Sequence, residues 1–275
     1  MKYKITKRAH RVHSTAHRIK AVETFTSNSG EIVKAGDLGG FIESDWNLSH
    51  QGTCWIYDDA IVLGNAQVFG DATVYGNAEV FGHAQVFDNA QVFDNARLSG
   101  HAQAFGQSKV SDRVMIFGSA ELFGHAIATE DAQLSGHAKA FGQSCIVEHA
   151  NLRDNCYIFG NAHIGGHAYI SHNAHIFEEA CIEGDVVVSG HTQILGHVHL
   201  IGMANMINGK WDTQPLYIQG SNDAMMVCGT DLIAIGMKVQ SFKFWKQNYK
   251  SILKKQHYNP QAIVEYGKYL KLILT

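Results

Sequence analysis

The chain has 275 residues, 45% of them hydrophobic, with only two prolines beside 27 glycines. No apolar run reaches the roughly 20 residues of a membrane span, and the basic N-terminus lacks the apolar core of a secretory signal, so no membrane association is expected. Five cysteines without a CxxC pair argue against a disulfide framework and favour a cytoplasmic location.

The formal net charge of −3 is divided unevenly along the chain. Residues 1–20 hold seven Lys or Arg and no acid, and residues 238–275 hold eight Lys and one acid, Glu265. Of the 22 basic and 25 acidic residues, the segment between therefore keeps seven basic and 24 acidic, a formal −17. The basic ends can bind an acidic partner surface or lie on the protein's own acidic body. That body repels phosphate, which argues against nucleic acid.

Residues 1–51 are predicted to form N-terminal strands and a cap. A short β-hairpin is expected around Ser27, Asn28, Ser29 and Gly30, because these residue types favour tight turns. An irregular first coil should follow, since the repeat that begins at residue 52 would otherwise expose an open strand edge.

A six-residue repeat runs from Gly52 to Ile207 without an insertion, giving 26 units. The first position is Gly in 17 units, Asp or Glu in eight and His in one. The third position is Ala in 18 units and never larger than Val, and the fifth is apolar in all 26. Residues two apart share one face of a strand, so the third and fifth positions are predicted to point inward and the fourth and sixth outward.

Each unit is predicted to form one side of a triangular coil, with a Gly–polar pair at the corner. We expect the second residue of the pair to take a positive φ, which Asn, Asp and His tolerate. Histidines at this second position are therefore interpreted as turn residues: His83, His101, His125, His137, His149, His167, His191 and His197. Three sides make a coil of 18 residues, and successive coils should pair as parallel strands about 4.8 Å apart.

Residues 208–275 are predicted to form a C-terminal cap with short strands and two helices. The period fades through a loop near Pro215, and residues 224–240 are expected to be short strands. Helical spacing over residues 241–256 makes Phe244, Tyr249 and Ile252 candidates for a buried face. A second helix should begin at Asn259 and Pro260, an N-cap followed by Pro in the first turn, and run through Ile263, Tyr266, Leu270 and Ile273. This tail resembles the ends of prophage-encoded proteins.

An aliphatic residue followed four positions later by a small one, as in Val68 and Ala72, resembles the pattern of hexapeptide-repeat proteins. The resemblance covers residues 52–207. It implies an all-β solenoid, a single-stranded left-handed β-helix, and 26 sides make about nine triangular coils. The two helices predicted after it form a small α-helical C-terminal appendage. Residues 34–60, which begin KAGDLGG and end GTCWIYDDA, resemble the N-terminal segment of the YdcK-like branch of this family.

Residues 18 apart are predicted to stack in columns, and one outward column is almost entirely phenylalanine. It contains Phe69, Phe87, Phe105, Phe123, Phe141, Phe159, Phe177 and Leu195. A row of exposed aromatic rings exceeds what a monomer usually leaves in water, so this column is predicted to be covered by another chain, as a subunit interface, or by a terminal segment. The family resemblance implies a homo-oligomer, with a trimer favoured and a dimer as the alternative.

A second outward column has the residue types of a metal site: Cys145, His163, Cys181 and His199, with Glu183 nearby. Thiolate, imidazole and carboxylate suit zinc, but four side chains in a straight line cannot surround one ion. Two of them could bind a metal with a ligand from a neighbouring subunit. The resemblance to gamma-class carbonic anhydrases, which bind metal with interfacial histidines, would then imply a metal-dependent hydratase.

Three functions of different class remain open on the sequence. An unbroken repeat favours a non-catalytic binding scaffold that self-associates and docks on a macromolecular partner, and the resemblance of the tail implies a phage-derived protein. The family resemblance alternatively implies an acyltransferase that uses acetyl-CoA, with His163, His175 or His199 as the general base. The hydratase is the third, and no cofactor other than acetyl-CoA or zinc is indicated.

Overall fold

The computed structural model describes residues 1–273, and its main body is a β-solenoid of about ten turns. Five strands precede the repeat: β1 (Tyr3–Ala9), β2 (His17–Ala21), β3 (Phe25–Thr26), β4 (Ile32–Val33) and β5 (Leu38–Ile42). β3 and β4 pair antiparallel around Gly30, whose φ is 85°, so the predicted hairpin is confirmed. No helix in this described part of the chain has the length and apolar character needed to cross a membrane.

The first coil is irregular, as predicted. β5 runs parallel to the strand that begins at Ile61, with Phe41 opposite Ile61, an offset of 20 residues instead of 18. A 3-10 helix (Asp45–Asn47) follows β5. The Asn47 side chain is fully buried and donates to Ala66 O at 2.8 Å, which attaches this segment to the next coil.

Short strands then recur every six residues. They are β6 Trp55–Ile56, β7 Ile61–Val62, β8 Gln67–Val68, β9 Thr73–Val74, β10 Glu79–Val80, β11 Gln85–Val86, β12 Gln91–Val92, β13 Arg97–Leu98, β14 Gln103–Ala104, β15 Lys109–Val110, β16 Met115–Ile116, β17 Glu121–Leu122, β18 Ile127–Ala128, β19 Gln133–Leu134, β20 Lys139–Ala140, β21 Cys145–Ile146, β22 Asn151–Leu152, β23 Tyr157–Ile158, β24 His163–Ile164, β25 Tyr169–Ile170, β26 His175–Ile176, β27 Cys181–Ile182, β28 Val187–Ser189, β29 Gln193–Ile194, β30 His199–Leu200 and β31 Asn205–Ile207.

These strands form three parallel sheets in which each strand pairs with the one 18 residues further on. We call the sheet of β8, β11, β14, β17, β20, β23, β26 and β29 the Phe face. The sheet of β6, β9, β12, β15, β18, β21, β24, β27 and β30 is the Cys–His face. The remaining sheet, from β7 to β31, is the mixed face, and β1, β2 and β5 extend it.

The third and fifth positions line one continuous core along the solenoid, as predicted. Ala72 and Val74 are fully buried, and so are Ala138 and Ala140. Small residues beside each corner let the three walls approach closely, which gives the dense packing typical of protein interiors.

The C-terminal cap begins where the period of 18 breaks. β32 (Lys210–Trp211) pairs with β29, but Gln193 lies opposite Lys210, an offset of 17 residues. An antiparallel sheet follows, made of β33 (Tyr217–Gln219), β34 (Ala224–Gly229), β35 (Leu232–Ile235) and β36 (Lys238–Ser241). Met226 on this sheet packs into the core of the coils, whereas Met225 packs against the helices.

Two helices complete the cap: α1 (Phe242–Lys255) and α2 (Pro260–Ile273). The Asn259 side chain accepts a hydrogen bond from Ala262 N at 2.8 Å, which confirms the predicted N-cap of α2. The predicted buried face of α1 is wrong at Phe244, which is 38% exposed. Trp245 takes its place in the core, because its indole N–H donates to Ile233 O at 2.8 Å on the sheet beneath the helix.

Candidate functional site

Positive φ at the corners falls on the first position of the repeat and not on the second. All 26 first positions have φ between 50° and 84°, including nine without glycine: Asp58, Asp88, Asp94, Asp112, Glu130, Glu148, Asp154, His172 and Glu178. The interpretation of His83 and the other second-position histidines as positive-φ residues is therefore wrong. The second position does not have a positive φ, so backbone conformation does not explain why His and Asn occur there.

Carboxylates replace glycine at first positions because they bond the next coil. Asp88 Oδ2 accepts from Gly106 N at 3.2 Å, and Asp154 Oδ2 accepts from His172 N at 3.0 Å. A non-glycine residue at positive φ costs about 1–2 kcal/mol, and a hydrogen bond to a charged group returns a similar amount. The acidic character of the body is thus partly a structural feature of the corners.

Second-position side chains form ladders between coils. The rings of His83 and His101 stack with centroids 4.8 Å apart, and those of His149 and His167 with centroids 4.7 Å apart. Asn77 donates to Asn95 in the same way at 3.3 Å. His and Asn interchange at these positions because both side chains contact the same residue type on the next coil, His by ring stacking and Asn by a hydrogen bond.

The phenylalanine column exists as a physical ladder. From Phe69 to Phe177 the six successive ring pairs have centroids 4.7–5.1 Å apart and planes within 7° of parallel. Every ring is half-buried, because its neighbours cover its two faces. The outer edges of the rings still form one row about 29 Å long, six steps of about 4.8 Å.

The Phe face carries almost no net charge. Between Gln67 and Leu195 its charged outward side chains are Glu121 and Lys139, which pair at 2.8 Å. Glutamines beside the ladder bond one another, since Gln103 donates to Gln85 at 3.0 Å. An aromatic and uncharged side of this kind is unusual on a body that has a formal charge of −17.

The acids concentrate at the corner between the Cys–His face and the mixed face. This acidic corner holds half of the 16 acids of residues 52–207: Asp58, Asp59, Asp94, Asp112, Glu130, Asp131, Glu148 and Asp185. It is the corner of the three-sided coil that does not border the Phe face. Arg113 neutralises part of it through Asp131, at 2.5 Å.

The Cys–His column also exists, and its members pair as parallel-strand neighbours. Cys145 lies opposite His163, His163 opposite Cys181, and Cys181 opposite His199. Glu183 stands two residues after Cys181 and projects from the same face, to one side of the column. The structure therefore brings together four of the five predicted metal candidates, while Cys145 lies at the far end of the column.

Glu183 occupies the centre of this group. Cys181 Sγ lies 3.5 Å from Glu183 Oε1, and His199 Nε2 lies 3.8 Å from Glu183 Oε2. His163 Nε2 approaches the same carboxylate from the preceding coil, also at 3.8 Å. The potential ligand atoms of Cys181, Glu183 and His199 all lie within 4.8 Å of one another. Burial, and then the neighbouring Glu183 carboxylate, raise the pKa of the Cys181 thiol to about 11.

His175 is separated from the other two candidate bases. It lies on the Phe face, where its strand pairs with Gln193 and its ring meets that of Tyr157 edge-on with centroids 5.1 Å apart. His163 and His199 lie on the Cys–His face. The three histidines predicted as acyl-transfer bases therefore do not share one site.

A pocket of about 500 Å³ opens beside His199 and was not predicted from the sequence. Its walls include Gln214, Tyr217 and Met226 from the cap. Gln214 acts like a strand partner, because its Oε1 accepts from His199 N at 2.9 Å. No spacing in the sequence links these cap residues to the coils, since the period ends before them.

The basic N-terminus lies partly on the protein itself. The Lys2 side chain is buried and donates to Gly52 O at 3.2 Å, and Arg18 pairs with Asp59. The lysines of α1 differ, because Lys243, Lys246, Lys250 and Lys254 are all exposed. Their spacing of three or four residues places them along one side of the helix.

Comparison with known proteins agrees with the fold. Residues 66–82 match the family model described as the YdcK Beta solenoid repeat. Together with the observed β-solenoid, this match confirms the resemblance to YdcK-like repeat proteins that residues 34–60 and the six-residue pattern predicted. A search of curated proteins found no match. The similarity concerns the repeat and the fold, and it assigns no activity.

Proposed function

We propose that the protein is a non-catalytic scaffold whose coils self-associate through the Phe face and whose C-terminal cap docks on an acidic macromolecule. The phenylalanine ladder carries the first part of this proposal. A contiguous row of half-exposed aromatic rings is the type of apolar patch that marks an interface. Its regular spacing of 4.7–5.1 Å offers a second copy a matching ridge.

The charge distribution supports a second copy as the occupant of this face. Two acidic bodies repel each other, so copies can approach only where charge is low. The Phe face has one internally paired Glu121 and Lys139, and the acidic corner points away from it. Packing through the Phe face therefore buries aromatic surface without burying unpaired charge. A trimer, as the family resemblance implies, and a dimer both satisfy this arrangement.

The uninterrupted coils support a non-catalytic role. Strands recur every six residues from Trp55 to Ile207, all of which are described, so no loop extends from the coils in this range. Acyltransferases of the hexapeptide family generally carry such a loop, and the candidate base His175 lies on a different face from His163 and His199. Titration of the full chain with acetyl-CoA is expected to give no heat of binding. A stoichiometric signal would reject the non-catalytic role.

Self-association is tested with two matched double variants. Phe105→Ser with Phe123→Ser removes a stacked pair 4.7 Å apart from the Phe face. Tyr75→Ser with Phe93→Ser removes an equivalent pair, also 4.7 Å apart, from the Cys–His face. Serine occupies this sixth position naturally at Ser99, so both variants should fold.

Light scattering after gel filtration gives the readout. The wild type and the Tyr75/Phe93 control should be oligomers of the same mass, and the Phe105/Phe123 variant should be a monomer. The proposal fails if the wild type is monomeric up to about 100 μM, where an interface of about −5.5 kcal/mol would already assemble. It also fails if the two double variants dissociate equally.

The docking surface is the row of exposed lysines on α1. Lys246, Lys250 and Lys254 lie on one side of the helix, whereas Lys2 and Arg18 of the N-terminal segment bind the body. The full chain should bind poly-glutamate, a model acidic polypeptide, more weakly as salt increases. Changing the three lysines to serine should abolish this binding. Equal binding by wild type and variant would show that the acidic polypeptide binds a surface other than the lysines of α1.

A further inference from the structure

We infer that Cys181, Glu183 and His199 bind one zinc ion on the Cys–His face. The three residues supply a sulfur, an oxygen and a nitrogen ligand from two neighbouring coils. Their potential ligand atoms lie within 4.8 Å of one another without any change of backbone. The site does not depend on self-association, because it lies on a different face from the phenylalanine ladder.

The observed distances approach those around a tetrahedral ion. Zinc bonds of about 2.3 Å to sulfur and about 2.0–2.2 Å to nitrogen or oxygen place tetrahedral ligand atoms about 3.3–3.7 Å apart. Cys181 Sγ lies 3.5 Å from Glu183 Oε1, and His199 Nε2 lies 3.8 Å from Glu183 Oε2. One ligand atom from each residue lies within 4.8 Å of the other two, so side-chain rotation that shortens the longest separation by about 1 Å would enclose the ion.

Glu183 removes the geometric objection to a metal in this column. Members of one column lie along a line, spaced by the separation of strands, and cannot surround an ion. Glu183 belongs to the adjacent sixth-position column, so it forms a triangle with Cys181 and His199. Glu183 lies beside Cys181 because it follows it by two residues in the same strand direction and so projects from the same face.

Gly165 and His163 complete the surroundings of Glu183. Gly165 occupies the sixth position one coil earlier, where a Cβ would lie 3.3 Å from His163 Nε2. The missing side chain lets the imidazole lean toward the carboxylate, which it approaches at 3.8 Å. We assign His163 as a positioning residue that holds Glu183, since metal ligands are commonly oriented by such a second partner.

The donor set selects the class of metal. Thiolate and imidazole disfavour magnesium and calcium, which bind oxygen, and a sulfur–nitrogen–oxygen set suits zinc. Three protein ligands leave one of four positions open. The side chains of Glu183 and His199 are about half exposed, at 48% and 52%, so water or a small ligand can reach that position.

The test measures zinc directly on the full chain. Protein stripped with a chelator is equilibrated with zinc, and bound metal is counted by elemental analysis and titration calorimetry. One zinc per chain is expected. Cys181→Ala and His199→Ala should each weaken binding by more than about tenfold, since even outer-shell partners of a metal contribute 10- to 100-fold. His163→Ala should have a smaller effect.

Two variants serve as matched controls. Cys145→Ala removes a cysteine of the same column two coils away, and His175→Ala removes a fourth-position histidine from the Phe face. Both should bind zinc as the wild type does. The inference is overturned if the wild type retains no zinc, or if Cys145→Ala lowers affinity as much as Cys181→Ala.

Cobalt substitution separates ligation from a structural effect. Cobalt bound at this site should show the near-ultraviolet charge-transfer absorption of a cobalt–thiolate bond and the strong visible bands of a tetrahedral ion. Both features should vanish in Cys181→Ser, whose outward position leaves the coil intact. A cobalt spectrum without thiolate character in the wild type would contradict the assignment of Cys181.

Discussion

The coils from Trp55 to Ile207 and the cap from Lys210 to Ile273 bury their side chains by different rules. In the coils the third and fifth positions of each six-residue unit are buried, except for the partly buried Ala204, and the largest common core residues are Ile and Leu. In the cap, one tryptophan and two tyrosines fill the space between a sheet and two helices: Trp245, Tyr258 and Tyr266. Position along the chain therefore determines burial in the coils, whereas packing between distant elements determines it in the cap.

The largest expected effect follows from removing the centre of the cap. Trp245→Ala deletes a fully buried ring and leaves Ile233 O without its donor, which should cost about 3–5 kcal/mol. Helical circular dichroism should melt at a lower temperature, while the β signal of the coils persists. Phe244→Ala is the control and should cost about 1 kcal/mol or less, because that ring is 38% exposed. If coils and cap melted together in Trp245→Ala, the two regions would not be independently stable.

The period of six predicts the columns of the coils, whereas beyond it the helices of the cap could be predicted but not their packing. The columns through Phe105 and Cys181 follow from counting by 18, since each strand repeats its neighbour. The choice of Trp245 over Phe244 could not be predicted, because both fit helical spacing and the sheet beneath decides the rotation of α1. The pocket beside His199 was missed for the same reason.

One error lies within the repeat itself. The sequence identifies the corner pair, but it predicts positive φ at the second residue, whereas the structure has it at the first. Asp or Glu at eight first positions indicates that this position tolerates a residue other than glycine. The reason is a hydrogen bond between coils, such as that from Gly106 N to Asp88, which the sequence does not show. For the metal candidates, the sequence supplied the residues, and only the structure showed that Glu183 lies between two histidines.

Overpacking should affect the coils strongly and locally. Ala120→Leu inserts a larger side chain at a fully buried third position beside a corner. The walls cannot separate without breaking parallel pairing, so stability should fall by about 1–3 kcal/mol. Urea unfolding followed by β-sheet circular dichroism gives the value. Ser119→Leu, one residue earlier and outside the core, should change the midpoint little. An equal loss of stability in both variants would contradict the placement of the Ala120 side chain in the core.

Strain at the corner is tested at Gly118, whose φ is 72°. Gly118→Ala should cost about 1–2 kcal/mol because an L residue is disfavoured there. Its Cβ would also lie 3.0 Å from Gly136 N. Gly118→Asp should cost less, since the carboxylate can accept from Gly136 N as Asp88 does from Gly106. Unfolding midpoints in urea measure both.

Gly202→Ala separates strain from crowding. Gly202 has a similar φ of 74°, but an added Cβ would meet nothing within 4 Å. Its substitution should therefore show the cost of positive φ alone, smaller than that of Gly118→Ala. If Gly118→Asp proves worse than Gly118→Ala, carboxylates at first positions are not compensated by bonds to the next coil.

Alkaline pH should weaken the cap before the coils. Burial, followed by the hydrogen bond to Asp223, raises the pKa of Tyr258, and burial raises that of Tyr266. Because the folded pKa exceeds the ordinary value of 10.0, this contribution is complete below pH 10 and declines above it. Helical circular dichroism during alkaline titration should fall, and Tyr258→Phe should make the fall less steep. A decline that the variant leaves unchanged would exclude Tyr258 as its source.

Acid should act on the coils with the opposite sign. The pKa of Asp112 is held below the ordinary 3.8 chiefly by the Thr129 hydroxyl, and that of Asp71 by bonds from Thr53. A lowered folded pKa gives stability that is complete above about pH 4 and is lost as pH falls further. These carboxylates are only partly buried, so screening by solvent keeps the effect the smallest of the series. Urea midpoints between pH 5 and pH 2 should decline less steeply in Thr129→Val, and an unchanged slope would show that the Thr129 hydroxyl does not stabilise the coils through the Asp112 carboxylate.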